Sequence, residues 1–195
     1  MPREIERKFL LKSDAWRLQV RQSQRMSQGY LASGGNVSVR VRIAGAEAWL
    51  NIKAGGFVAT AMDGGSAGRK KAPAFAARRP SLAVANAGSI LRPSRHEYEY
   101  PLPLDEAREL LALAEGPLIE KTRHLVEQGA LTWEIDEFLG DNSGLVVAEL
   151  ELDSEDADFA RPPWLGAEVT ELRRYYNVCL VTHPYRAWNE AERNP

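Results

Sequence analysis

The 195-residue chain has one cysteine, three histidines and no run of apolar residues approaching the roughly 18 that a membrane helix needs. One cysteine, Cys179, excludes an internal disulfide and suits a reducing cytoplasm, where we expect the protein to reside. The opening MPREIERKFL lacks the charged, apolar and small-residue regions of a secretory signal.

What is present is charge in a strict order. Seven segments alternate with period two: Glu4–Leu10, Val37–Ile43, Ala48–Lys53, His96–Leu102, Ile119–Glu127, Leu131–Phe138 and Leu145–Asp153. Side chains two apart on a strand share a face. Glu4, Glu6 and Lys8 therefore share one face, with Ile5 and Phe9 opposite. Arg40 and Arg42 oppose Val39, Val41 and Ile43, and Asn51 and Lys53 oppose Leu50 and Ile52. Glu97 and Glu99, Lys121 and Arg123, and Glu149 and Glu151 form further same-face pairs, and Asp136 lies on a strand between the last two.

One such strand would be an ordinary solvated face. Same-sign pairs repeated on several strands are different, because neighbouring like charges on a face repel. Paired carboxylates call for a cation, and hard oxygen ligands suit Mg²⁺ or Mn²⁺. Paired arginines and lysines call for an anion, and guanidinium matches phosphoryl oxygens. A metal with a polyphosphate satisfies both sets together. The opposite faces are apolar and can pack against helices outside, so a sheet closed on itself with a charged interior fits the pattern.

Three helices are expected: one from Ser13-Asp14 through Trp16 and Val20 toward Met26, and one carrying Leu104, Ala107, Leu110, Leu111 and Ala114 before Gly116-Pro117. The third carries Leu172, Tyr175, Tyr176, Cys179 and Leu180. His96 and His124 fall on the parity away from the charged face, and His183 precedes Pro184 in a turn. All three read as structural or surface residues, and Cys179 as a core thiol. Tyr30 reads either as a core aromatic or as a phosphate contact.

These residues resemble the CYTH proteins, the triphosphate tunnel metalloenzymes, and in particular their small bacterial members. Glu4-Ile5-Glu6-Arg7-Lys8 matches the E-x-E-x-K signature. Val39-Arg40-Val41-Arg42, Ile52-Lys53, Glu97-Tyr98-Glu99, Lys121-Thr122-Arg123, Ile135-Asp136 and Glu149-Leu150-Glu151 follow in the family's order. Gly29-Tyr30-Leu31, Glu168-Val169-Thr170 and Arg174-Tyr175-Tyr176-Asn177 add to the likeness. The resemblance implies an α+β fold: a closed eight-stranded antiparallel tunnel with a charged interior and helices outside. It implies that Glu4, Glu6, Asp136, Glu149 and Glu151 bind Mg²⁺ or Mn²⁺, and that Lys8, Arg40, Arg42, Lys53, Lys121 and Arg123 cradle phosphates. Glu97 and Glu99 would hold a second metal or position water, and Lys8 would help orient it. The reaction implied is hydrolysis of a linear triphosphate, foremost inorganic triphosphate. Adenylyl cyclase, thiamine or nucleoside triphosphatase, and a non-catalytic polyphosphate binder remain alternatives.

The whole chain reads as one domain interrupted at about residues 55–95. From Gly55 to Arg95 there are seven basic residues against one acid, leaving the rest of the chain at a net charge of −8. With Gly55-Gly56, Gly64-Gly65, Pro73, Pro80 and Pro93, this stretch reads as a flexible hairpin insertion that could displace Lys53 and Glu97. Its near-lack of aromatics makes nucleic acid an unfavoured partner. A small anionic substrate and no membrane are expected, and a homodimer is compatible with the sequence.

Overall fold

The computed structural model describes residues 3–34, 37–54, 94–154 and 156–195, with side chains described from Ile5 on the first strand and from Glu97 on the fifth. The expected insertion at 55–95 thus falls almost wholly outside the described residues. Among the described residues, nine antiparallel strands form one sheet: β1 (Arg3–Leu11), β2 (Val20–Gly34), β3 (Val37–Ala44), β4 (Glu47–Ala54), β5 (Ser94–Pro101), β6 (Ile119–Gln128), β7 (Leu131–Phe138), β8 (Val146–Glu151) and β9 (Leu165–Glu168). Their order is β5-β4-β3-β2-β6-β7-β8-β1-β9, and β1 pairs in addition with β5 through Arg3–His96, Glu4–Arg95 and Ile5–Ser94.

The antiparallel sheet with few helices agrees with expectation, and the period-two segments all became strands. The strand count is nine, against eight expected, because β9 adds to the far side of β1. The larger correction is β2. Residues 14–19 form a short 3₁₀ turn, and the chain from Val20 to Gly34 is strand, although a helix was expected from Ser13-Asp14 toward Met26. Arg, Gln, Met and Ser are acceptable helix formers, and a strand with polar residues on both parities shows no hydrophobic alternation. Pairing with β3 on one side and β6 on the other overrides that preference. The second expected helix is α1 (Leu104–Leu111). The third is divided into a 3₁₀ turn at Arg173–Tyr175 and the short α2 (Asn177–Thr182).

Three apolar clusters hold the sheet. On the outer face of β1 and β6–β8, Phe9, Val126, Trp133, Ile135 and Leu150 pack with Trp16 from the 3₁₀ turn and Trp164. Trp133 meets Trp164 edge-on at 5.4 Å and Phe9 at 5.7 Å. Burying a large side chain of this kind stabilises the fold by about 1.5–3 kcal/mol or more. Over β3 and β4, Val41 and Ala48 pack on Ala107 of α1. Gly29 on β2 lies tight against the segment that follows α1, since a Cβ there would stand 2.7 Å from Ala114 Cβ. The third cluster caps the charged face. Leu10, Ile119, Phe138 and Val147 continue the parity of Lys8, Lys121, Asp136 and Glu149, and are covered by Val169, Tyr175, Leu180 and Trp188 from the C-terminal segment.

The strands flanking the insertion pair without a slip, from Ala54–His96 through Lys53–Glu97 to Trp49–Pro101. Lys53 and Glu97 are thereby held opposite one another, and the displacement that the insertion threatened does not occur.

Candidate active site

Residues expected to share a face do so, and the central ones are buried. Lys8 is 3%, Lys121 2%, Arg40 8% and Asp136 0% exposed, which excludes a solvated outer face for this side of the sheet. Two groups of charges can be distinguished by the strands that carry them.

The first lies on β1, β6, β7 and β8. Lys8 Nζ donates to both Glu6 and Glu149, so these two carboxylates converge on a single cationic centre. Registry places Lys8 opposite Glu149 and Glu6 opposite Glu151. Arg123 donates from Nε and Nη2 to the two oxygens of Asp136, each at 2.7 Å, and from Nη2 to Glu149 at 2.7 Å. Its Nη1 donates to Glu134, and Lys121 Nζ also donates to Asp136. Both Asp136 oxygens are therefore engaged by cations.

The second group lies on β3, β4 and β5. Lys53 Nζ stands 2.9 Å from Glu97 Oε2, and Arg40 Nη2 3.6 Å from Glu97 Oε1. Arg42 Nη2 lies 2.8 Å from Glu99. Asn51, fully buried, donates from Nδ2 to Glu97 at 3.2 Å and to Glu99.

Electrostatics ties the groups together. Burial lowers the Lys121 pKa first and the Arg123 charge lowers it further; Asp136 offsets only part of this, leaving it at about 8. Arg42 is likewise lowered by burial and then by Arg40, with Glu99 opposing and Arg123 adding to the depression. Around Lys8, burial opposes the charge but Glu149 and Glu6 outweigh it, so its pKa is raised. Burial also works against the Glu149 carboxylate, and Lys8, Lys121 and Arg123 more than reverse it, holding its pKa well below the usual range. Lys121 and Arg42 thus carry positive charge that their protein neighbours do not fully compensate. An anion placed between β3 and β6 would relieve both.

Known proteins bear on this arrangement. The CYTH domain pattern matches residues 86–183. An inorganic triphosphatase from Acetivibrio thermocellus is 38% identical over 191 residues, covering 97% of this chain and all of that protein. The chain belongs to the CYTH family. An inorganic triphosphatase from Nitrosomonas europaea is 42% identical over 92 residues, which is 45% of this chain and 60% of the relative. A solved crystal structure of an inorganic triphosphatase matches with a TM-score of 0.56 at 28% identity, covering 93% of this chain and 95% of that one.

For this CYTH chain, the structure brings together Glu6, Lys8, Lys121, Arg123, Asp136 and Glu149, and separately Arg40, Arg42, Lys53, Glu97 and Glu99. Glu151 is more exposed and lies at the end of β8, and the Glu4 side chain lies outside the described residues. Among the described residues, no group of three or more His, Cys, Asp or Glu is spaced to hold a metal. His124 sits on the outer face as expected, 2.8 Å from Ser23 Oγ and against Trp16. His183 bonds Glu192 at 3.0 Å in the C-terminal segment. The His96 side chain is outside the described residues.

Sequence reasoning missed Glu134 and Gln28. Glu134 shares the parity of Asp136 on β7, so alternation alone could have found it. Gln28 lies just beyond the helix expected to run toward Met26, in a stretch with no alternation to assign it a face. No helix among the described residues is long and apolar enough to cross a membrane.

Proposed function

We propose that this CYTH protein hydrolyses a linear triphosphate, foremost inorganic triphosphate, with Mg²⁺ or Mn²⁺, inside a closed tunnel formed by the eight strands from β5 to β1. The β1–β5 pairs support closure, since they join the two ends of that run. The observation that carries the reading is the convergence of two cation sets and two carboxylate sets on one face whose centre is buried, with like charges side by side on β3, β5, β6 and β8. The inorganic triphosphatase identity of the full-length relative supports the same substrate.

Carboxylates are the ligands a hard divalent ion takes, and Glu6 and Glu149 are the described pair that would hold one. Glu6 and Glu149 already meet at one ammonium, and Glu151 is in register with Glu6. Together with Glu4, which has the strand parity of Glu6 in the sequence, these residues would hold the metal, which would supply charge neutralisation and an activated water. Arg40, Arg42, Lys53, Lys121 and Arg123 bind and orient the phosphates. Guanidinium groups offer bidentate contacts and no proton, so they act by charge and position alone. Lys8, held between Glu6 and Glu149, orients the attacking water. Glu97 and Glu99 position water or a second ion. Asp136, which receives Lys121 and Arg123 as Glu149 receives Lys8 and Arg123, would be a further ligand and orients those two cations. A single-cysteine chain suits a reducing cytoplasm.

The test is phosphate release from tripolyphosphate, ATP and thiamine triphosphate, with Mg²⁺ and Mn²⁺ supplied separately, beside Glu6→Ala. Tripolyphosphate is expected to be cleaved fastest, and only with metal. Activity that survives Glu6→Ala sinks the metal assignment. Tight binding without turnover under either metal turns the protein into a phosphate-binding module, and cyclic AMP from ATP moves it to a cyclase.

A further inference from the structure

β2 contributes one more polar side chain to the charged face. Gln28 is 1% exposed and stands in register with Arg42 on β3 and Ile119 on β6. Its Oε1 accepts from Arg40 Nη1 at 3.4 Å. That contact sets the amide's orientation. A guanidinium can only donate, so the oxygen faces Arg40 and the NH₂ group is turned away from it. Gln28 Nε2 is buried and has no hydrogen-bond partner among the described residues. On the neighbouring strand Arg42 Nε is a second buried N–H without an acceptor.

Buried donors are almost always satisfied, so an acceptor belongs beside Gln28. Asn51 Oδ1, buried without a donor, sits two strands away on β4 opposite Arg40, and the carboxylates of this face are taken up by other side chains. Glu97 takes Lys53, Arg40 and Asn51, and Glu99 takes Arg42 and Asn51. An acceptor that also suits two adjacent arginines, one of them with its charge disfavoured by the other, is an anionic oxygen.

We propose that Gln28 Nε2 donates to a non-bridging phosphoryl oxygen of the bound triphosphate, which makes Gln28 a substrate-binding residue between Arg40 and Arg42. This rests on the triphosphate reading given above and adds a neutral donor to it. Such a donor recognises the oxygen without increasing the repulsion between the arginines. It also keeps Arg40 in place through Oε1, so one side chain serves both the cradle and its ligand.

The experiment measures tripolyphosphate binding by calorimetry and its KM and kcat for the full chain, Gln28→Leu and Gln28→Glu, with thermal melting of each. Loss of one hydrogen bond to a charged acceptor is expected to weaken binding by about 10- to 100-fold in Gln28→Leu, with melting of the ligand-free protein near that of the native chain. Gln28→Glu keeps the size and the Arg40 contact but turns the donor into a charged acceptor, and is expected to bind more weakly still. A structural glutamine, or one satisfied by water alone, predicts lowered melting or no change, with native affinity in both variants, and either outcome overturns the proposal. If the native chain neither binds nor cleaves tripolyphosphate, the activity reading itself falls. If it does both and the variants match it, only the Gln28 assignment falls.

Discussion

Replacing Asp136 by asparagine removes one negative charge from the most enclosed point of the site while keeping its shape. Asp136 has no exposure and receives Lys121 and two nitrogens of Arg123. Removing one partner of a buried ion pair costs about 3–5 kcal/mol when the remaining charge cannot escape. Here Lys121 has an escape. Its pKa already stands at about 8, against an ordinary 10.5, with Asp136 among the few charges holding it up. Without that carboxylate the folded pKa falls further, and Lys121 sheds its proton near neutrality. The variant then binds fewer protons than the native protein between about pH 6 and 9. By linkage, the stability lost must be greater at pH 6 than at pH 9, with each unit of additional depression worth about 1.4 kcal/mol. Urea unfolding of both proteins at the two pH values measures this. A loss below about 1 kcal/mol, or one equal at both pH values, would refute the buried Lys121–Asp136–Arg123 arrangement.

Further outcomes follow from the same geometry. In the native protein Lys121 is a base with a depressed folded pKa, so it costs stability while charged, and that cost is relieved as pH rises from about 8 toward 10.5. Metal-free tripolyphosphate binding should show the opposite trend, weakening about tenfold per pH unit above 8 as the ammonium is lost; calorimetry across pH 7–10 checks this, and a flat profile contradicts it. Gly29→Ala places a Cβ 2.7 Å from Ala114 Cβ and 2.8 Å from Leu118 Cδ2, on the outer face. It should lower stability by about 1–3 kcal/mol through overpacking and leave tripolyphosphate affinity unchanged, read from the urea midpoint and a binding titration. Trp133→Ala, in the centre of the outer cluster, should cost about 3–5 kcal/mol in the same unfolding assay, and a loss under 1 kcal/mol would contradict its packing.

Much of the site was legible before any coordinates because a strand has a period of two. Glu6 and Lys8, Arg40 and Arg42, and Lys121 and Arg123 could be assigned to one face by counting, and all of them are on it. That logic failed at β2. A strand that mixes Gln24, Met26 and Gln28 on the inner face with Arg25, Ser27 and Gly29 on the other has no apolar stripe to count. Its residues also have respectable helix propensity. Only pairing with β3 and β6 makes it a strand, and long-range pairing leaves no local trace.

The sequence by itself determined which residues share a face, that the face carries both signs of charge in pairs, and that the opposite face is apolar. These are properties of spacing along one strand. The tertiary structure decided which pairs meet. Lys8 lies between Glu6 and Glu149, Asp136 is taken up by Lys121 and Arg123, and Gln28 turns an amide N–H toward the interior beside Arg42. It also decided that Lys53 and Glu97 stay opposite each other across the insertion. Strand order and register are set by the packing of the whole sheet. Charges separated by more than a hundred residues become neighbours only when that packing is complete, as Lys8 and Glu149 show.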